Sequence, residues 1–97
     1  MEIKNIENHE REVTALLKGM ANESRLRILC ALCVGEKCVG ELENITNLSQ
    51  SALSQHLSKL RHSGIVQTRR KAQTIYYSTN HPGLRQVIQS LCNSYNY

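Results

Sequence analysis

The sequence predicts a mainly helical α+β domain with a single β-hairpin placed before its last helix. Apolar residues recur at helical spacing through most of the chain. The period changes in two β-rich runs, residues 65–69 and 74–78, before Pro82 opens a final helix. With 97 residues and no linker-like segment, the chain is expected to be one domain over residues 1–97.

Two helices are expected in the first third of the chain. The first covers about residues 6–20 and has apolar side chains at i, i+3, i+4 and i+7, namely Val13, Leu16, Leu17 and Met20. The second runs from about Glu23 to Val34, where Gly35 is placed to end it. Because the chain has four Tyr and no Trp or Phe, its core must be built from Leu, Ile and Val.

A tight turn at Asn47-Leu48 is expected to join a third and a fourth helix. The third covers about residues 38–46, with Val39, Leu42 and Ile45 facing inward. Ser49 is a good N-cap for the fourth helix, which ends near Gly64. The last helix, at about residues 82–95, carries one wide apolar stripe formed by Leu84, Val87, Ile88, Leu91, Cys92 and Tyr95.

This order of elements, four helices, two strands and a last helix, predicts a winged helix-turn-helix. The helix-turn-helix falls at about residues 38–63 and the wing at about 65–78, with residues 70–73 as a basic hairpin tip. A core this poor in aromatic residues often needs a partner, so a homodimer is expected. The helices at about 6–20 and 82–95 are the predicted dimerisation elements.

The distribution of charge favours a nucleic-acid partner. All eight Glu lie within the first 43 residues, and the chain has no Asp. Residues 49–97 carry six Lys or Arg and no carboxylate side chain, so we expect these cations to be unopposed. A region without carboxylates approaches a polyanion without repulsion between like charges.

The fourth helix is expected to read base edges in a major groove, while cations beside it and on the wing hold phosphates. Its outward side chains are uncharged hydrogen-bonding groups, although a polar helix face is also typical of a merely solvated surface. The predicted DNA-binding residues are Ser49, Gln50, Ser51, Ser54, Gln55, His56, Lys59, Arg61, Arg69, Arg70, Lys71 and Gln73.

Five motifs carry a family resemblance over about residues 11–95: the segments 16–30, 39–42, 48–57, 60–61 and 64–66. They resemble the ArsR/SmtB family of bacterial winged-helix repressors, and most closely its HlyU/BigR/SqrR branch. The resemblance implies a homodimer on a near-palindromic double-stranded DNA operator, with one recognition helix in each half-site. Whether binding represses a gene or relieves silencing stays open.

The N-terminus has no apolar run behind a basic start, and the apolar stretches are too short to span a bilayer. We therefore expect a cytoplasmic protein with no membrane contact and no cofactor, whose four cysteines are reduced. A pair such as Cys30 and Cys33 occurs in thiol oxidoreductases, but the βαβ unit of those enzymes is missing. No catalytic set accompanies a nucleophile, so enzymatic activity is not expected.

What the protein senses is predicted through its cysteines and the family resemblance. Arsenic sensors carry Cys-Val-Cys where this chain has Cys38-Val39-Gly40, and zinc sensors place carboxylates on a last helix that here has none. The sulfur-sensing branch pairs a thiol at the position of Cys30 with a distal one. That distal position falls on Asn96 here, and Cys92 lies one turn earlier.

The resulting hypothesis is that Cys30 senses peroxide or reactive sulfur with Cys92 as its partner. Three alternatives stay open. Cys30 and Cys92 can be structural residues, the second within a dimer core. Cys30, Cys33 and Cys38 can form a metal or metalloid site. The winged helix can also serve mainly as a protein-docking module.

Overall fold

The computed structural model describes residues 3–95 of the chain. Its elements, in chain order, are α1 (Ile3–Glu7), α2 (Glu10–Met20), α3 (Glu23–Val34), β1 (Lys37–Cys38), α4 (Val39–Thr46), α5 (Gln50–His62), β2 (Gln67–Lys71), β3 (Thr74–Ser78) and α6 (Pro82–Ser94). The predicted winged helix-turn-helix is confirmed, with α4 and α5 as its two helices and β2–β3 as its wing.

The N-terminal helix is the first departure from the predicted elements, because it is broken at Asn8 and His9 into α1 and α2. Both residues are weak helix formers, and every described side chain from residue 4 to residue 10 is exposed. Without burial, nothing compensates for this low propensity, so a continuous helix over residues 6–20 does not form.

The second departure is a third strand. β1 pairs antiparallel with β3, matching Lys37 with Tyr77 and Cys38 with Tyr76, so the sheet order is β1-β3-β2. Two residues have too little local propensity to predict a strand, and β1 exists because the edge of β3 offers hydrogen-bond partners. The wing is therefore attached to the segment that connects α3 with α4.

The hairpin tip is narrower than the basic tip expected at residues 70–73. β2 continues through Lys71, which pairs with Thr74, so only Ala72 and Gln73 form the loop. Ala72 has φ of 57°, a left-handed conformation that is uncommon for a residue with a Cβ.

The core is aliphatic, as the composition predicts, and each helix from α2 to α6 contributes to it. Its most deeply buried side chains, at 0% exposure, come from α3, α4, α5 and α6: Ile28, Leu29, Leu42, Leu53 and Leu84. α2 packs closely on the chain after α5, since a Cβ at Gly19 would overlap the Ile65 side chain.

One prediction within the core is wrong. The spacing predicts that Ile45 faces inward from the third helix, yet its side chain is 53% exposed. Thr46 takes the inner position instead, because its hydroxyl donates a 2.6 Å hydrogen bond to the Leu42 carbonyl and is satisfied while buried. Among the described residues, no helix combines the length and apolarity that crossing a membrane requires.

Candidate nucleic-acid interface

The turn between α4 and α5 is held by local hydrogen bonds that set the start of α5. Asn47 ends α4 with φ of 60°, and its N–H donates to the Glu43 carbonyl at 3.0 Å. The Thr46 hydroxyl accepts from the Leu48 N–H at 3.3 Å, and the Ser49 hydroxyl accepts from the Ala52 N–H at 3.1 Å. The predicted Ser49 cap is confirmed.

α5 has one buried face and one polar face. Leu53, Leu57 and Leu60 point into the core at 0–1% exposure. The opposite face is solvent-exposed and includes the predicted readers and cations of this helix, Gln50, Ser51, Ser54, Gln55, Lys59 and Arg61, while Ser49 is exposed at its cap. Hydrogen-bonding groups thus line the N-terminal half of the face and cations follow in the C-terminal half, as reading a base edge beside a phosphate requires.

His56 lies between these two faces. It is half-buried, and its Nδ1 atom is enclosed without a hydrogen-bond partner among the described residues. Burial lowers the pKa of His56, and the nearby positive charges of Arg25 and Lys59 lower it further. The side chain is therefore neutral at pH 7 and borders the core more than the Ser/Gln face.

The wing brings three of its four predicted DNA-binding residues to the surface without a carboxylate partner among residues 3–95. Arg70, Lys71 and Gln73 are exposed near the hairpin loop. Arg69, by contrast, donates from Nε and Nη2 to the two carboxylate oxygens of Glu36, both at 2.7 Å. Its guanidinium also lies 4.7 Å from the ring centroid of Tyr76.

The expectation that every cation after residue 48 is unopposed is therefore wrong at Arg69. Hydrogen bonds to Glu36 raise the pKa of the Arg69 guanidinium. Sequence reasoning missed Glu36 because it lies 33 positions from its partner, and no local pattern indicates a pair at that distance. The only signals in the sequence that could have indicated this ion pair were the predicted strand around Arg69 and the presence of a carboxylate, Glu36, shortly before Cys38.

The predicted sensing thiols lie on α3 and α6. Cys30 and Cys33 are half-buried against the core, whereas Cys92 is exposed. Burial raises the pKa of the Cys30 thiol, and the charges that Cys92 and Cys33 would carry as thiolates raise it further. Burial also raises the pKa of Cys33, opposed by Arg85 of α6.

Cys38 does not join these thiols. It precedes α4, where its backbone N–H donates to the Glu41 carboxylate at 3.0 Å. Within residues 3–95, no three His, Cys, Asp or Glu side chains are grouped so that they could hold a metal ion. The metal-site alternative at Cys30, Cys33 and Cys38 therefore lacks the required convergence. The family's distal thiol position, Asn96, lies outside the described residues.

The fold and its exposed α5 face define the chain as a winged helix-turn-helix DNA-binding protein. The model of the bacterial regulatory protein, arsR family, matches residues 22–68. The transcriptional activator HlyU of Vibrio cholerae is 45% identical over 95 residues, which cover 98% of this chain and 88% of HlyU. The nodulation protein NolR of Rhizobium meliloti is 50% identical over 91 residues, which cover 92% of this chain and 75% of NolR.

A solved structure supports the same family. The transcriptional repressor BigR from Xylella fastidiosa superposes with a TM-score of 0.89 at 37% identity, covering 100% of this chain and 99% of BigR. The chain belongs to the ArsR family of bacterial transcriptional regulators, in the branch that includes HlyU and BigR. It is a DNA-binding transcriptional regulator and not an enzyme.

Proposed function

We propose that the protein binds a near-palindromic operator as a homodimer and is switched off DNA by oxidation or persulfide modification of Cys30 together with Cys92. The observation that carries the DNA part is the α5 face, where exposed Ser and Gln side chains precede Lys59 and Arg61. A dimer places two such faces on successive major grooves, about 34 Å apart along the duplex.

Exposed apolar side chains support the dimer. α6 buries only Leu84 and Ile88, and its neighbouring stripe leaves large apolar groups in solvent. Leu91 is 48% exposed and Tyr95 is 74% exposed, and on the N-terminal side Leu17 is 52% exposed. Such a surface is unfavourable in water, and α2 and α6, which correspond to the predicted dimerisation helices, form the dimer interface that the family resemblance implies.

The proposed roles on DNA divide by chemistry. Ser49, Gln50, Ser51, Ser54 and Gln55 donate to and accept from base edges, because each has a hydroxyl or amide that is free in the described chain or at the helix cap. The phosphate contacts come from Lys59, Arg61, Arg70, Lys71 and Gln73, which are exposed around the reading face. His56 contributes by supporting the helix from its half-buried position.

The thiol part of the proposal uses the different burial of two cysteines, half-buried Cys30 on α3 and exposed Cys92 on α6. Cys92 is exposed, whereas Cys30 is half-buried and burial raises its pKa, so Cys92 reacts first. Hydrogen peroxide oxidises Cys92 to a sulfenic acid and is reduced to water. The Cys30 thiol then attacks the sulfur of this sulfenic acid, which releases a second water and forms a disulfide between Cys30 and Cys92.

Reactive sulfur leads to the same product. A small persulfide transfers its outer sulfur to Cys92 and departs as a thiol. Cys30 then attacks the inner sulfur of the Cys92 persulfide and releases hydrogen sulfide. Either route joins α3 to α6, so the dimer helices shift and the two α5 faces lose the operator spacing.

The thiol switch is tested by intact-mass measurement and gel shift on the same samples after peroxide or persulfide treatment. The wild-type protein is expected to lose two hydrogens and most of its operator affinity. Cys30→Ser and Cys92→Ser should keep their affinity, whereas Cys33→Ser, a matched half-buried control one turn along α3, should respond like the wild type. An oxidised wild-type protein with unchanged operator affinity would contradict the switch.

The DNA part is tested separately by the salt dependence of binding to duplex DNA. A surface that neutralises several phosphates gives a steep loss of affinity with salt, with a slope of about −0.9 for each neutralised phosphate. A response that does not change with salt, or no binding to any operator-like duplex, would favour the protein-docking alternative instead.

A further inference from the structure

A bidentate ion pair outside the reading face joins the wing to the segment that follows α3, the helix that carries Cys30. Glu36 lies two residues beyond Val34, the last residue of α3, and directly before β1. It accepts both hydrogen bonds from Arg69 in the middle of β2, each 2.7 Å long. Planar guanidinium and carboxylate groups in this arrangement fix direction as well as distance.

The sheet register explains why the two groups meet. Arg69 pairs with Tyr76 on β3, and Tyr76 pairs with Cys38 on β1, so these three residues form one row across the sheet. The Arg69 guanidinium lies over the Tyr76 ring at 4.7 Å and ends at Glu36 just beyond β1. Arg70 is next on the strand, but its side chain leaves from the opposite face of the sheet.

The wing needs such an attachment. A two-stranded hairpin is marginally stable in water, and the third strand adds only the two residues Lys37 and Cys38. The Arg69 side chain is 53% exposed, so solvent screens the ion pair and its contribution to the free energy of folding is small. Its main effect is to fix the position of the wing. A guanidinium held at both its Nε and Nη2 atoms is also poorly available to a phosphate.

We propose that Arg69 is a positioning residue, held by Glu36, which fixes the wing to the C-terminal end of α3 and passes the thiol state of that helix to the wing. The coupling part rests on the proposed thiol switch, whereas the positioning part does not. Because only Gly35 separates α3 from Glu36, a shift of α3 on oxidation moves the Glu36 carboxylate and the wing with it.

The first experiment measures operator affinity against salt concentration for the reduced protein and three variants. Arg69→Gln and Glu36→Gln should each weaken binding by about 3- to 10-fold and leave the salt slope unchanged, because the same phosphates are still neutralised. Arg70→Gln is the matched control on the same strand. It should reduce the magnitude of the slope by about 1.8 for the two protomers.

Several outcomes would overturn the positioning role. One is a reduced salt slope in Arg69→Gln, of the same size as in Arg70→Gln. Another is stronger operator binding by Glu36→Gln, which would mean that the change releases Arg69 to a phosphate. Unchanged affinity in both variants would overturn it as well. Glu23→Gln, at the other end of α3, removes the same charge and controls for the general effect of net charge on DNA affinity.

A charge reversal gives a second, independent readout. Arg69→Glu alone should weaken operator binding strongly, since two carboxylates then face each other. Adding Glu36→Arg should recover most of that loss if the pair acts by holding the wing. If Arg69 binds phosphate, the double variant keeps a carboxylate against the DNA and shows no recovery. Thermal unfolding of each variant identifies any that has lost its fold. If a charge-reversal variant has lost its fold, Arg69→Gln and Glu36→Gln decide the positioning role.

The coupling is tested by comparing oxidised with reduced protein. The loss of operator affinity on oxidation should be several-fold smaller in Glu36→Gln than in the wild type, because the wing no longer follows α3. An equal loss would overturn the coupling. A wild-type protein that does not respond to oxidation would count against the thiol switch and the coupling together, while the salt slopes would still decide the positioning role.

Discussion

α5 and α6 are helices of the same length, 13 residues each, and neither contains a carboxylate. Both are capped at their N-termini by a side chain, Ser49 for α5 and His81 for α6. Their exposed surfaces differ in apolar content. α5 presents hydroxyl, amide and cationic groups, whereas α6 presents, beside its own polar groups, the Leu91 side chain and the Cys92 thiol, with Tyr95 exposed at its C-cap.

This difference shows that two helices without acids can present different surfaces. On α5, the absence of acids leaves a polar face that is stable in water and attractive to a polyanion. On α6, the patch formed by Leu91 and Tyr95 is apolar, so it is unfavourable in water and gains free energy when covered. The following predictions test whether the two faces are separate, one for DNA and one for a second protomer.

The largest effect is expected from a charge on the α6 face. Leu91→Glu should convert the dimer to monomer and reduce operator affinity by more than about 100-fold, because an unpaired carboxylate in an apolar interface costs several kcal/mol. Sedimentation and gel shift measure the two results. Val34→Glu is the control, since Val34 is 85% exposed at the end of α3, outside this face. A dimeric Leu91→Glu protein would contradict the assignment of the α6 face.

A smaller effect is expected on the α5 face, and it should depend on DNA sequence. Gln55→Ala or Ser54→Ala should lower affinity for the operator by about 1–3 kcal/mol for each base interaction removed, with little change on random DNA. Arg70→Ala should weaken both to a similar degree, because a phosphate interaction carries no sequence information. If Gln55→Ala lowered the affinity for operator and for random DNA equally, Gln55 would not read the base sequence, and this would contradict the assignment of α5 as the recognition helix.

The N-cap of α5 should contribute to stability apart from any DNA binding. Ser49→Ala removes the hydrogen bond to the Ala52 N–H and should lower the free energy of unfolding by about 1 kcal/mol. Ser51→Ala, in the exposed first turn, should leave it nearly unchanged. Urea denaturation without DNA measures both. Equal values for the two variants would show that Ser49 matters only for DNA.

The smallest effect is expected from His56, at the border between the α5 faces. Its pKa is lowered in the folded state, so protonation favours the unfolded chain. Its stabilising contribution is complete above the unfolded value of about 6.5 and is lost as the pH falls below it. His56→Gln should therefore reduce the pH dependence of unfolding between about pH 7.5 and 5.5, measured by urea denaturation. An unchanged dependence would contradict the lowered pKa.

Much of the fold could be predicted from the sequence because its signals are local. The α3 and α5 bounds agree with the prediction, since Asn22 and Ser49 each cap a helix by accepting from an N–H three residues ahead. The Ser/Gln face of α5 also followed from spacing alone, because side chains three and four residues apart share a helix face. The break at Asn8 and His9 depended on missing tertiary burial, which spacing does not report.

The sequence by itself determined the class of protein, the helices that follow Asn22 and the polar composition of the reading face, because these depend on interactions within about one helical turn. The tertiary structure decided the third strand, the exposure of Ile45, the unequal burial of Cys30 and Cys92 and the engagement of Arg69 by Glu36. Each of these joins residues distant in the chain or depends on what packs beside them, so it is settled only when the elements assemble. The cation count of the wing was a property of the sequence, but which cations are free was a property of the fold.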